Sequence, residues 1–327
     1  MALPPPGASF ETPGSILVLP ELLSQKPFRF PPTRPVLYKM LSELIRSHPE
    51  WLPRVQNLSF HFQHEHAIAL QTPYSSNHIF LGPNLTERSI NGDAAFYRFR
   101  PSLCFEKEGY CKAATTGILV EYAMPNMVAI REARVLPPQV IDAILYVPPL
   151  IYDLFPKRSG RDPAMPITTW RPYTLTGRHG RNRRSKLLKR FKKHNISTQN
   201  LLGLEDGTLE LQEVLRHTAI MLNVHQTEEF HTIEELRILP AILCGVVVIS
   251  EVVPYMSDIP WRSFVVWTTM EKFPETVKEV QANFDAVWDS KFGTRSKLPA
   301  VLAAMWRKAL GDLEKLLSRK LKGVLAS

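Results

Sequence analysis

Cysteine is scarce in this chain. Cys104, Cys111 and Cys244 are the only three in 327 residues. The count is odd, and the spacing suits neither a disulfide framework nor a zinc site. Cys244 lies in an apolar stretch and reads as a small core residue, which fits a reducing compartment. Long apolar runs are missing too: the longest uncharged one lies between Arg237 and Glu251, short of the ~20 residues a membrane helix needs. The opening Met1-Ala-Leu-Pro-Pro-Pro has neither the basic nor the apolar region of a signal peptide. The expectation is a soluble cytoplasmic protein without a transmembrane segment. No internal repeat is evident.

What is present is enough apolar material, 44% of the residues, for a sizeable core and two domains of ordinary size. The 28 prolines gather in the first 35 residues and between 136 and 172, where they mark irregular arms or linkers. The formal charge of +9 is local. Nine Lys or Arg and no acid lie between Arg178 and Lys193; without them 31 basic residues face 31 acidic ones. One cluster of this kind suits an anionic ligand at one place better than a uniformly basic surface.

Strand and helix signals alternate along the chain, which predicts α/β architecture with parallel sheets and crossovers. In the first half, Ile16–Leu19, a part of 58–70, His78–Gly82 and Gly117–Tyr122 read as strands. Val36–Ser47 and Pro138–Ile144 read as helices, and Leu145–Tyr152 reads as extended chain. The Gly, Pro and charge content of Lys157–Pro166 reads as a linker. Beyond it the expected order is strand Ile167–Trp170, helix Asn182–His194, strand Ile220–Val224, helix Glu234–Leu243, strand Val246–Ser250 and strand Phe264–Trp267. Amphipathic helices are expected over Phe273–Phe284 and Leu298–Leu325, the second from the spacing of Leu298, Leu302, Met305, Ala309, Leu313 and Leu316.

Four constellations could carry chemistry. In Thr176–Ser185, two glycines would let a ligand approach the backbone, and the helix that follows would offer unpaired N–H groups. Arg178, Arg181, Arg183 and Arg184 would supply forked donors to a diphosphate, while Leu187, Leu188 and Phe191 anchor the helix. A solvated basic helix or a nucleic-acid patch are the other readings. The second constellation is Met221–His225 followed by Glu234–Glu251. Ligands of open α/β sheets bind outside the carboxyl ends of the strands, so His225 and Glu251 would stand at one crevice. Glu234 and Arg237 share a helix face there, suited to ribose hydroxyls and a phosphate, or simply to a structural ion pair. The third, His61, His64 and His66, lacks a further ligand at metal spacing and reads as a polar strand, so no metal is assigned. The fourth is the final helix, with basic residues from Arg307 to Lys322 beside its apolar stripe. It reads as packing back on the body rather than lying on a membrane, because Asp312 and Glu314 interrupt the basic face.

From about Gly117 to Val280 the chain resembles the CgeB-like (spore protein YkvP/CgeB type) glycosyltransferases of the GT-B superfamily. The matching pieces are Glu121-Tyr-Ala-Met-Pro-Asn126, Tyr146–Tyr152, Arg178 to Arg184, Leu222-Asn-Val-His225, Glu234-x-x-Arg237-Ile and Val247–Glu251, in order over about half the chain. The resemblance implies two Rossmann-like domains facing a cleft and a C-terminal crossing helix. The corresponding divisions are a proline-rich arm (1–35), an N-terminal acceptor domain (36–160), a nucleotide-sugar-binding domain (166–292) and a helix packing back on the body (296–326). It also implies a transferase of the hexosyl type that moves a sugar from a nucleotide-diphosphate donor, with retention, to an unknown glycan, protein or small-molecule acceptor. Arg178, Arg183, Arg184 and Arg237 would hold the donor diphosphate. Glu234, Ser250 and Glu251 would hold sugar and ribose, and His225 would act at the reacting region. No cofactor is implied beyond the nucleotide sugar, and nucleic acid is not the expected partner. The chain departs from the family at one place. Retaining members carry two glutamates eight positions apart, where this chain has Thr232 and Pro240. Glu234 or Glu235 would have to take over, and a GT-B-like protein that binds nucleotide sugar or glycan without turnover is the alternative. The N-terminal half shows no acceptor motif and no glycine-rich first loop.

Overall fold

The computed structural model describes residues 34–51, 59–62, 117–133, 138–142, 144–169, 183–200, 209–224, 233, 235–253 and 255–323. The chain divides into two compact units. Leu154–Ala304 forms one; the described residues before Leu154, with those from Met305 onward, form the other. The architecture is α/β with parallel sheets. No described helix is long and apolar enough to cross a membrane.

The first unit opens with α1 (Arg34–Ser47). Val36, Leu37, Met40, Leu41 and Leu44 recur at helical spacing and are all buried. The helix stops ahead of Pro49, since the residue before a proline is pushed out of the helical region. Strands β1 (Ser59–Phe62) and β2 (Gly117–Glu121) follow, then helices α2 (Met124–Ala133) and α3 (Pro138–Ile141), and strand β3 (Ile144–Tyr146). The three strands form one parallel sheet in the order β1-β2-β3. Glu121 ends β2 fully buried, and its Oε1 accepts the Tyr122 and Ala123 N–H groups at 2.8 and 2.9 Å. Those are amides at the entry to α2, which have no partner within a helix and need one from outside. Pro125 fits because a first-turn N–H is unused. The expected helix 138–144 is shorter than its pattern suggested, because Ile144 already pairs in the sheet.

The second unit runs β4 (Ile167–Thr169), α4 (Arg183–Lys193), β5 (Thr198–Asn200), α5 (Leu209–His217), β6 (Ile220–Asn223), α6 (Glu235–Leu243), β7 (Val247–Glu251), β8 (Val265–Thr268), α7 (Phe273–Ala282) and α8 (Phe284–Phe292). The last helix, α9 (Leu298–Gly323), begins here, and its residues from Met305 count with the first unit. There Ala309, Leu313, Leu316 and Leu317 join the core made by α1, Ile118, Val120, Leu145 and Val147. All five strands of the second sheet are parallel, in the order β5-β4-β6-β7-β8. Residues of β6 and β7 are buried throughout, as a parallel sheet covered on both faces requires.

Two helix ends in this unit show how the turns are fixed. After α6, Gly245 takes φ +77°, its N–H bonds the Ile242 carbonyl at 2.9 Å and the Val246 N–H bonds the Ala241 carbonyl at 3.0 Å. This double closure needs a left-handed residue, and glycine takes that conformation without strain. A Cβ at Gly245 would stand 2.9 Å from Pro156 Cα, so the close approach of the incoming chain also requires it. Trp288 of α8 donates its indole N–H to the Gly245 carbonyl at 3.0 Å. After α4, Asn195 makes the same turn with φ 56°.

The segment 157–166 is not a free linker. Arg161 is buried within the second unit and donates to the Lys157 and Leu215 carbonyls at 2.7 and 2.9 Å and to those of Thr218 and Cys244. It therefore ties together the turns that lead into β6 and β7. Burial lowers its pKa from 12.5 to about 10. Composition suggested a linker because it cannot show that a lone arginine finds four carbonyls. Three further differences concern helices and strands. The span 273–284 continues as a second helix to Phe292, with Asn283 between the two. Leu188 does not anchor α4: it is exposed, while Leu187 and Phe191 are buried. Strand β5 and helix α5, neither expected, complete the sheet and one of its crossovers. Residues 1–33, Cys104, Cys111, His64, His66 and the candidate strand 78–82 lie outside the described residues.

Candidate functional site

The strand order fixes where this unit can hold a ligand. Numbered within the sheet, the order is 2-1-3-4-5, so the chain reverses its direction of travel between β4 and β6. Crossovers on either side of that point diverge, which leaves a crevice outside the carboxyl ends of the two strands. Helices α4 and α6 each follow a strand and precede a parallel one. Their N-termini, with free N–H groups and the positive end of the helix dipole, therefore face the carboxyl edge.

A row of buried polar residues lies along this edge: Asn223 ends β6, Ser250 and Glu251 end β7, and Thr268 ends β8. Asn223 and Ser250 are register partners, and Asn223 Nδ2 donates to Ser250 Oγ at 3.0 Å. Ser250 Oγ in turn donates to the Glu251 carbonyl at 3.0 Å. Glu251 pairs with Thr268, whose hydroxyl lies 2.8 Å from that of Thr276 on α7. A polar group buried without a hydrogen bond costs ~1–3 kcal/mol, so these side chains persist by bonding one another. Removing Asn223 would take one donor from Ser250, which keeps its own bond to the Glu251 carbonyl.

The start of α6 adds charge. Glu235 opens the helix and is fully buried; Arg237 follows half-buried. Pro240, at the position where the family resemblance implies a carboxylate, lies buried inside α6. On the other side of the reversal point, Arg183 and Arg184 are the first two residues of α4. Arg178, His225 and Glu234 lie outside the described residues. Of the candidate residues, the structure places Arg237, Ser250, Glu251 and the backbone of Arg183 and Arg184 at helix starts and strand ends of one sheet edge.

Asn223 and Thr268 were not singled out as site residues by sequence, and Glu235 was named there only beside Glu234. A signal existed for Asn223, a single amide at the end of the apolar run Ala219–Leu222. Of the two adjacent glutamates, Glu235 opens α6 and is buried, and Glu234 lies outside the described residues. Thr268 had no signal beyond its place after Val265-Val-Trp267.

Other buried ionisable groups of this unit do not belong to the edge. Lys291 donates to the Ser263 and Val265 carbonyls at 3.1 and 3.3 Å, where β8 begins, and burial pushes its pKa down to about 8. Burial raises the Cys244 thiol to about 12, which keeps it protonated and inert. Among the described residues no group of His, Cys, Asp and Glu could hold a metal ion.

No protein-family model matches the chain. It is 28% identical over 115 residues to an uncharacterized protein, R358, of Acanthamoeba polyphaga mimivirus. The match covers 34% of this chain and 39% of the viral protein, so the chain spans well under half of that curated relative.

Proposed function

We propose that the chain is a glycosyltransferase of GT-B type that takes a sugar from a nucleotide-diphosphate donor bound at the carboxyl edge of the five-stranded sheet. The observation that carries this reading is the reversal point between β4 and β6, flanked by two helix N-termini and the buried polar row Asn223, Ser250, Glu251. A diphosphate suits such a place because helix N-termini offer N–H donors to anions. Arg178, Arg183, Arg184 and Arg237 would neutralise charge developing on the leaving diphosphate, an effect worth ~3–4 kcal/mol per well-placed donor in comparable sites. Glu234 and Glu251 would take ribose and sugar hydroxyls, and His225 would orient the reacting sugar. Ser250 has its donor committed to the Glu251 carbonyl, so its part is to hold Asn223 and Glu251 in place. The two sheets would be the two Rossmann-like halves.

A specific observation favours a second reading, donor binding without turnover. Buried Pro240 occupies the position where retaining relatives would carry a carboxylate. Both readings are tested by thermal stabilisation of the full chain with UDP, GDP, ADP, TDP and their sugars. A ligand at ~100 times its dissociation constant adds ~2.7 kcal/mol. The expected result is a selective shift, lost in Arg237→Ala, followed by release of nucleoside diphosphate from the stabilising sugar. A shift without release supports the binding protein. No shift with any member removes both readings.

A further inference from the structure

The lysines of α4 form a cationic row beyond the arginines that open the helix. The helix is seated by Leu187 and Phe191, both buried, and by Arg190, which donates to the Met270 carbonyl at 2.8 Å and to that of Glu271. With that face used up, Lys186, Lys189, Lys192 and Lys193 are all exposed. Among the described residues none of the four has an ion pair, and α4 contains no acid. Lys186, Lys189 and Lys193 are three and four residues apart and so line one face. They span roughly 10 Å along the axis, at ~1.5 Å per residue, and Lys192 widens the row. Most of the excess charge of the chain that falls on described side chains is on this short helix.

The shape of the patch selects its partner. Helix α7 packs beside α4 and exposes Glu275 and Glu279 with Lys278 between them, and Glu271 and Lys272 just before it are exposed as well, so this stretch is acidic by one charge. A flat anionic surface laid on α4 would also meet those carboxylates, whereas a linear polyanion lying along α4 need not. Membrane insertion requires a free apolar face; Leu187 and Phe191 are inside the protein, and the single exposed Leu188 does not make such a face. The exposed face carries no aromatic residue, so bases would find nothing to stack on. We infer that the α4 lysine row binds the phosphodiester backbone of nucleic acid, without sequence preference. The sequence-based expectation set nucleic acid aside because the basic run lacks interleaved aromatics apart from Phe191 and sits inside an α/β unit; duplex backbone binding needs no aromatics. The structure divides the run: Arg183 and Arg184 open the helix at the carboxyl edge, Arg190 is bound to the body, and the four lysines are exposed.

The test is fluorescence anisotropy of a mixed-sequence 20-base-pair DNA duplex with the full chain between 50 and 200 mM KCl. Four neutralised phosphates contribute about −3.6 to the slope of log affinity against log salt, at ~−0.9 each, or roughly 150-fold over that range. Replacing the four lysines together with glutamine is expected to remove that contribution and leave the melting temperature unchanged. Saturation with nucleoside diphosphates is expected to leave duplex binding intact. The inference is overturned if the wild-type chain does not bind the duplex, or if the variant keeps both affinity and slope. Displacement by a nucleoside diphosphate would overturn it too, by moving the duplex to the crevice. So would binding to phosphatidylserine vesicles, but not to DNA, that depends on the same lysines. A failed nucleotide-sugar shift leaves this test unaffected.

Discussion

Replacing Arg161 by methionine would remove a buried guanidinium while keeping most of its apolar volume. The buried carbonyls of Thr218 and Cys244 would lose their donor, while that of Leu215 keeps the Thr218 N–H at 3.2 Å. An orphaned buried acceptor costs ~1–3 kcal/mol, so the loss is ~2–6 kcal/mol. Against it stands the relief of removing a charge whose burial lowers its pKa from 12.5 to about 10. At ~1.4 kcal/mol for each tenfold change in proton affinity, that returns about 3 kcal/mol. The middle of the range leaves a net loss of about 1 kcal/mol. The chain has two compact units, so a single melting temperature would mix their transitions. Hydrogen exchange at the β6 and β7 amides reads the second unit directly. A loss of about 1 kcal/mol accelerates that exchange by roughly fivefold where it follows unfolding of the unit. Exchange at β6 and β7 equal to or slower than wild type would refute the claim that Arg161 ties their entry turns together. The β2 amides serve as the internal control and are expected to be unchanged.

Gly245→Ala is expected to destabilise the second unit by about 2 kcal/mol or more. A left-handed alanine costs ~1–2 kcal/mol, and its Cβ would also meet Pro156 Cα at 2.9 Å. A urea midpoint equal to wild type would contradict it. Lys291 predicts a pH dependence whose sign follows from its lowered pKa. The unfolded chain holds this proton up to about pH 10.5 and the folded one only to about pH 8. Between those values the unfolded state binds more protons, so stability rises with pH. Below pH 8 the full cost of a charged buried amine, about 3 kcal/mol, is present. Lys291→Met is expected to flatten this rise, measured as stability against pH from 7 to 10.5 and compared with wild type.

Much of the second unit was legible in the sequence because its strands are buried on both faces. Val247–Ile249 and Ile220–Leu222 are continuous apolar runs bounded by turns, and a parallel sheet between helices is the structure that hides such runs. Helix α1 and the stripe of α9 were equally clear from their spacing. Element ends were set elsewhere: Ile144 left its helical pattern because β2 offered it a pairing partner. The three-residue strand β5 gave no periodicity to read, and it exists because β4 has a free edge for it to join.

By itself, then, the sequence determined the α/β class, the crossover helices and the concentration of positive charge in one segment, because periodicity and composition are local properties. Only the tertiary structure decided the strand order that puts the reversal point between β4 and β6. Strand order depends on which edges pair across long stretches of chain. It likewise decided that Arg161 is buried against carbonyls, that Asn223 meets Ser250, and that Arg190 is used for packing while its neighbouring lysines are not. Those outcomes depend on which residues distant in sequence come within ~3 Å, and no local pattern encodes that distance.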